Sequence, residues 1–437
     1  METFSRTHQA VLAELSARGL ATSADLQAAL KKSQPTVSRL LADLSSQVIA
    51  LGRGRQTRYG VARPILGLPA QQPLWWVDGA GTPQRIGTLS LLGDGSVVHV
   101  DGIDFETTVR NRLPWYLAPL RPQGFLGRLL ARRLAPSGLD ANPESWNLEQ
   151  ALFAAVQLHD APGAIVLGEP AAPGDHHPVP TDGKRIGAVL DELASDVTRT
   201  LPAGSSAGGE QPKFLALMQS GEHVLVKFTP PRGTPFGERW HDLLHAEALA
   251  ADVLASHGVP VAAGRVVETA ARSYLLSPRF DRVGAAGRRH AVAVGAVHDA
   301  FIPGPYGNWA ATCEALARQG RLPAAAADQA RALLEFGRLI GNSDMHAGNL
   351  SLLVGLDGLA KGRFGLAPVY DMLPMRWRPD PLLGGAADYS AFEPDPVSAS
   401  GPARVPAGQF WSRLSAHRAV GRELRQVAAE MARRLAA

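Results

Sequence analysis

The chain has one cysteine in 437 residues, Cys313. A single thiol excludes an internal disulfide framework and suits a reducing compartment. No uninterrupted run of about 18 apolar residues is present, so no membrane span is expected. The opening residues METFSRTHQ lack an apolar signal core, and a cytoplasmic location is the expectation. Apolar residues (45%) and charged residues (19%) stand near the values of ordinary globular proteins, which leaves no case for a disordered or fibrous chain. A chain this long calls for two or three domains in place of one core.

Strong net charge is missing from most of the sequence. Residues 1–64 carry nine Lys/Arg against four acids, a balance of +5, while the whole chain is only +4. The basic character therefore belongs to the N-terminal segment. That is the footprint of a polyanion partner, although any surface charge cluster mimics it.

The segment has a readable order. Val11, Leu12 and Leu15 stand at helical spacing between His8 and Arg18, and Gly19 ends the run. Ser23 suits the N-cap of a second helix, Ala24 to Leu30. Ser33 suits that of a third, with Pro35 in its first turn. Val37, Leu40, Leu41 and Leu44 form the third helix's apolar stripe, leaving Gln34, Thr36, Ser38 and Arg39 outward. Val48 to Leu51 and Gln56 to Val61 read as strands around Gly52-Arg53-Gly54-Arg55. Over about residues 1–63 this resembles a winged helix-turn-helix that puts its last helix into the major groove. Gln34 and Arg39 would read bases of duplex DNA, with Thr36 and Ser38 beside them; Arg53, Arg55 and Arg58 would hold phosphates. Such proteins often dimerise on two half-sites, but no dedicated dimer helix stands out. The alternative is a three-helix protein-interaction module with a solvated basic hairpin.

Pro64 to Pro73, rich in Pro, Gly and Gln, reads as a linker. Beyond it, Leu74 to Val77, Gln84 to Leu91 and Gly95 to Val100 suggest strands, followed by helical pieces around Trp115 and Leu129. The pair His176-His177, in a Pro/Gly/Asp loop, reads as solvated more readily than as metal-binding. This part indicates a small α+β domain and no chemistry.

The following stretch offers more. The small-residue loop Gly204-Ser205-Ser206-Ala207-Gly208-Gly209-Glu210-Gln211 precedes two strands, and such a loop can close over phosphates through its backbone N–H groups. Lys227 ends the second strand, and Glu247 lies on the helical run Trp240 to His257. A strand Lys held by a helix Glu is the pairing that kinase-type lobes set on phosphates. Next come Ser273 to Phe280, a further strand, and Asp281-Arg282.

After the apolar run Ala332 to Ile340 comes Gly341-Asn342-Ser343-Asp344-Met345-His346-Ala347-Gly348-Asn349-Leu350, and then Leu366-Ala367-Pro368-Val369-Tyr370-Asp371. Phosphoryl transfer from ATP uses an Asp for the acceptor hydroxyl, an Asn five residues on for a metal, and a second Asp for the metal that bridges the phosphates. Asp344, Asn349 and Asp371 fit that pattern, and His346 suits bracing of the loop. Taken singly, each feature has an ordinary reading: a turn, a hinge, a strand-edge Lys, a surface Glu. Their shared order favours the chemical one. The helical stretch Arg413 to Leu435 reads as lobe packing.

Ser205 to Lys213, Ser277-Pro278-Arg279-Phe280-Asp281-Arg282, the decapeptide from Gly341 and Val369-Tyr370-Asp371-Met372 resemble the HipA family of toxin kinases from about residue 74 to the C-terminus. The resemblance implies a multidomain α+β chain. A winged helix-turn-helix (1–63) would precede an α+β subdomain (74–170) and a bilobal, protein-kinase-like core (171–437), with a nucleotide lobe to about 310 and a helical lobe over 311–437. It implies ATP, Mg²⁺ and phosphorylation of Ser or Thr on a protein, in known cases an aminoacyl-tRNA synthetase. It also implies self-phosphorylation of a loop serine, for which Ser206 fits best and Ser205 next. The chain departs from the family in having Gly348 where a Lys commonly precedes the metal-binding Asn, and in carrying its own DNA-binding segment where the family usually relies on a separate antitoxin. Two other functions fit the same residues: a DNA-binding regulator whose kinase fold only senses nucleotide, and a small-molecule kinase.

Overall fold

The structure, a computed structural model, describes residues 5–100, 106–158, 160–170, 178–181, 185–200, 211–380, 385–386 and 388–436. The chain forms two compact units. Met1–Asp78, Thr82–Pro122 and Leu130–Ala172 make the first; Gly79–Gly81, Gln123–Leu129 and Pro173–Ala437 make the second.

The first unit begins with α1 (Arg6–Arg18), β1 (Ala21–Thr22), α2 (Ser23–Leu30), α3 (Gln34–Asp43), β2 (Val48–Leu51) and β3 (Arg58–Val61). Val11, Leu15, Leu26, Val37, Leu40, Leu41 and Leu44 close one core under the three helices, and the strands pair antiparallel in the order β1-β3-β2. Two local expectations are corrected. Thr22, not Ser23, caps α2: its side chain accepts the Asp25 N–H at 3.2 Å, while the Asp25 carboxylate accepts the Thr22 N–H at 2.8 Å. The acid three residues on selects Thr22, because it makes the reciprocal capping box. The last strand starts at Arg58, since a 3-10 turn over Gly54–Gln56 occupies the hairpin tip.

The expected linker is also shorter than Pro64 to Pro73, because β4 (Gln71–Val77) already begins within it. With β5 (Pro83–Leu91), β6 (Ser96–Val100), β7 (Glu106–Arg110) and β8 (Ile165–Leu167) it forms an antiparallel sheet of order β7-β6-β5-β4-β8. The helices of this region are α4 (Gly124–Leu134) and α5 (Leu148–Val156). Leu51 of the basic hairpin shares a buried cluster with Leu92 and Val98, and Arg63 pairs with Glu149 at 2.7 Å. The N-terminal module is thus packed on the sheet, not tethered to it by a free connector.

The second unit opens with α6 (Arg185–Thr200), β9 (Lys213–Leu217), β10 (His223–Phe228), α7 (Pro235–Ser256), β11 (Arg265–Glu268) and β12 (Ser273–Pro278). Their sheet is antiparallel, in the order β11-β12-β10-β9. Alternation along β10 sends Val224, Val226 and Phe228 into a core with Ile186, Leu190 and Ala194 of α6. The intervening residue Lys227 therefore faces the other side, where α7 lies.

A small hairpin, β13 (Arg282–Val283) and β14 (Gly287–Arg288), leads to β15 (His290–Ala293), α8 (Val294–Phe301), α9 (Trp309–Arg318) and α10 (Ala324–Leu339). Then come β16 (Ser351–Val354), α11 (Leu356–Lys361), β17 (Gly365–Leu366), α12 (Pro396–Ser400), α13 (Arg404–Ser415) and α14 (Arg422–Ala436). The single C-terminal helix expected over Arg413 to Leu435 is in fact the end of α13, a break and α14. At the break the Ala419 carbonyl accepts from His241 Nε2 at 2.8 Å and the Gly421 N–H donates to Asp242 Oδ1 at 2.7 Å. Contact with α7 takes backbone groups that a continuous helix would have kept for itself.

Candidate active site and nucleic-acid interface

Lys227 is the centre of the second unit's polar interior. It is 3% exposed, and its Nζ donates to Glu247 Oε1 of α7 at 2.5 Å and to Asp371 Oδ1. Burial alone would lower the lysine's pKa, but the Asp371 and Glu247 carboxylates outweigh it and hold the ammonium above its ordinary value. Burial likewise works to raise Asp371, yet Lys227 and Lys213 prevail and keep it below the usual carboxylate range. Glu247 goes the other way: burial dominates, the neighbouring Asp371 adds to it, and its pKa is raised. Of the two carboxylates, Asp371 is the one held ionised. Its backbone is left-handed at φ 53, a conformation that costs an L-residue roughly 1–2 kcal/mol. Such outliers cluster where a side chain must be aimed.

The loop between α10 and β16 holds the other acid. Gly341 turns the chain at φ +76, a conformation glycine adopts without penalty. Gly337, one helical turn earlier, has no room for a side chain, because a Cβ there would lie 2.2 Å from Met345 Sδ. The loop is then pinned by its own polar groups. Asn342 Oδ1 accepts the Asp344 N–H at 3.0 Å, and Asn342 Nδ2 donates to the Asp371 carbonyl at 3.3 Å. Asn349 Nδ2 donates to the Asp344 carbonyl at 2.8 Å. His346 Nδ1 accepts the Gly348 N–H at 2.9 Å, while the His346 carbonyl accepts from Trp309 Nε1 at 2.9 Å. Tyr370 closes the other side, donating to the Gly348 carbonyl at 2.8 Å with its ring stacked on Phe280 at 5.5 Å.

A hydrogen-bonded path thus runs Asn349–Asp344–Asn342–Asp371–Lys227–Glu247, joining residues far apart in the chain. Asp344 itself keeps a 40% exposed side chain, 4.0 Å from His346 Nε2, open to an incoming group. Of the loop expected to close over phosphates, Gln211 is described: it is buried, and its Nε2 has no hydrogen-bond partner among the described residues. Ser205, Ser206, Ala207, Gly208, Gly209 and Glu210 lie outside the described residues, as do His176 and His177. Sequence reasoning gave no role to Asn342, nor to Tyr370. The first sat unremarked inside the motif, and neither function is visible without its partner across the fold.

In the first unit, Gln34, Ser38 and Arg39 are exposed along α3 and Thr36 is half-buried, while the apolar stripe of the same helix is inward. Arg53 and Arg55 are exposed at the hairpin and Arg58 is half-buried.

Residues 205–437 match the model of the HipA-like C-terminal domain, and residues 68–173 that of the YjjJ-like toxin middle domain. The chain is 36% identical over 438 residues to Toxin YjjJ of Escherichia coli (strain K12), with 96% of each covered. The chain belongs to the HipA-like toxin family. In fold it is similar to a chain in the solved complex of the Shewanella oneidensis MR-1 toxin–antitoxin system HipA, HipB and its operator DNA. That match has a TM-score of 0.50 at 18% identity, covering 83% of this chain and 88% of that one. The fold is accordingly the mixed α+β arrangement of HipA. No helix among the described residues is long and apolar enough to cross a membrane.

Proposed function

We propose that this HipA-like chain is an ATP- and Mg²⁺-dependent kinase that phosphorylates serine or threonine on a protein, and that residues 1–63 are a winged helix-turn-helix that binds duplex DNA. The observation that carries the kinase reading is the path linking Lys227 and Glu247 to Asp371, and Asp371 through Asn342 to Asp344 and Asn349.

The donor set fits the metal. Asn349 commits its amide nitrogen to Asp344, which leaves the carboxamide oxygen as a ligand, and Asp371, tied to the same loop through Asn342, is kept ionised. Mg²⁺ prefers such oxygen ligands and, when bound, neutralises charge on the phosphates. Lys227 would hold the phosphates with Glu247 fixing its position, and the Gln211 donor, without a partner among the described residues, suits an anionic neighbour. Asp344 would accept the proton of the acceptor hydroxyl as its oxygen bonds to the γ-phosphorus and the bond to the ADP oxygen breaks. Ser206, or else Ser205, would be the chain's own acceptor, and an aminoacyl-tRNA synthetase is the acceptor protein that family membership suggests.

The DNA reading is supported by the polar outer face of α3, the basic hairpin beside it and the +5 balance of residues 1–64. The solved HipA complex contains operator DNA, which agrees with a DNA partner. A homodimer on two half-sites would follow the usual geometry of the motif.

Incubation with γ-labelled ATP and Mg²⁺, followed by mass spectrometry of residues 201–213, tests the kinase reading. Label on Ser206 or Ser205 is expected in the native chain and is lost in Asp344→Asn, with ATP binding nearly unchanged. ATP binding without transfer in the native chain would leave the nucleotide-sensing regulator. Equal transfer by the variant would remove Asp344 from the mechanism.

A further inference from the structure

His241 and His245 lie one turn apart on α7, so their rings share a face, with centroids 4.6 Å apart. Glu268, at the end of β11, reaches the same point: its Oε1 is 3.1 Å from His245 Nε2. One ligand atom from each of the three falls within 4.8 Å of the others. A fourth group stands next to them. The His417 ring is 5.1 Å from that of His245, and its buried Nδ1 has no hydrogen-bond partner among the described residues.

His241 Nε2 donates to the Ala419 carbonyl at 2.8 Å, which fixes the tautomer and leaves the Nδ1 lone pair facing the cluster. Metal-ligating histidines almost always donate their other N–H in this way. Nδ1 now accepts from Ser273 Oγ at 2.8 Å and from Arg232 Nη1 at 3.0 Å. Arg232 is the cluster's present cation, with Nη1 also 3.5 Å from Glu268 Oε2. Its Nε and Nη2 are held separately by Glu238 at 2.9 and 3.1 Å, so an entering ion displaces Arg232 Nη1 and the Ser273 hydroxyl proton from His241 Nδ1 and leaves the rest of the guanidinium held. An open cleft of ≈ 420 Å³, lined by His245, Asp252, Arg413, His417 and Arg418 among others, supplies the way in. Its other charges are Arg418 and the Arg413–Asp252 pair at 3.8 Å.

We propose that His241, His245 and Glu268 bind a divalent transition-metal ion of the zinc class, with the fourth position left for water. Two imidazoles and one carboxylate are a donor set that four-coordinate zinc takes. The ion would clamp α7 to β11. That clamp acts on the helix that carries Glu247, so it would also steady the partner of Lys227. The site is independent of the kinase reading, and metal binding is measured without nucleotide.

The full chain, stripped with chelator and free of Mg²⁺, is titrated with Co²⁺ and followed by its visible absorption. One equivalent is expected to give the intense bands of a tetrahedral site, and one equivalent of Zn²⁺ to erase them. Outer-shell changes cost roughly 10–100-fold in affinity, so loss of the ligand in His245→Gln should cost at least about 100-fold. Glu268→Gln changes an exposed side chain, so lost binding there with unaltered thermal unfolding is loss of a ligand. Arg232→Gln should tighten binding, because it removes the competing cation. His257→Ala, at an exposed histidine bonded to Gln409, should change nothing. Absence of tetrahedral bands in the native chain, or equal binding by His245→Gln and Glu268→Gln, would overturn the proposal.

Discussion

The side-chain amide of Asn342 bridges Asp344 and Asp371, its oxygen accepting the N–H of one at 3.0 Å and its nitrogen donating to the carbonyl of the other at 3.3 Å. The two acids on which the proposed chemistry depends are thereby set by one buried residue. Asn342→Ala should slow transfer by about 10²-fold, the scale of a misplacement near 1 Å, with ATP affinity little changed. Leaving buried backbone groups unpaired should also cost about 1–3 kcal/mol of stability. Single-turnover rates and denaturant midpoints check both, and a native rate in the variant would remove Asn342 from the site.

Among the described residues, Lys227 is the one cation bonded to both Glu247 and Asp371. Removing one member of a buried charged set typically costs about 3–5 kcal/mol, because the others are left uncompensated. Lys227→Met should therefore be strongly destabilised, and adding Glu247→Gln should recover part of the loss. Urea unfolding of the single and double variants decides the matter. Additive destabilisation would mean that the two side chains do not interact energetically.

Cys313 is fully buried, and burial pushes its thiol up to about 12. The native thiol should resist iodoacetamide at pH 8 and react only on unfolding, because the thiolate is the nucleophile. The linkage has a definite sign. An unfolded thiol ionises near about 8.5, so the unfolded chain gains by ionising first, and stability falls as pH rises from there towards 12. Rapid labelling of the folded chain would contradict this burial.

On the first unit, exposed Arg53 and Arg55 should contribute counterion release and no base selectivity. Each Arg→Ala change should weaken DNA binding about equally for all sequences and lower the salt slope by about 1, whereas Arg39→Ala should relax preference at a base position. Binding measured across a salt series separates the two. A sequence-dependent loss at Arg53 would reassign the hairpin to base reading.

Much of this arrangement is legible before any coordinates. Alternation in His223-Val224-Leu225-Val226-Lys227-Phe228 is enough to put Lys227 opposite the apolar face of β10, and the spacing of Asp344 and Asn349 marks their loop. What escapes is whatever depends on a partner across the fold. Asn342 looks like any loop asparagine until the Asp371 carbonyl is beside it. The break at residues 416–421 hides because leucine and alanine keep helical spacing on both sides, and only the contacts to His241 and Asp242 favour opening the helix there. Thr22 and Ser23 are equally good caps by type, and the position of Asp25 chooses between them.

A crystal structure of the full chain with a non-hydrolysable ATP analogue and Mg²⁺ tests the account most directly. The account predicts Asn349 and Asp371 on a metal bound to the phosphates, Lys227 on those phosphates, and the Asp344 carboxylate facing the γ-phosphorus. A nucleotide bound elsewhere, or these four side chains directed to separate regions around it, would contradict it.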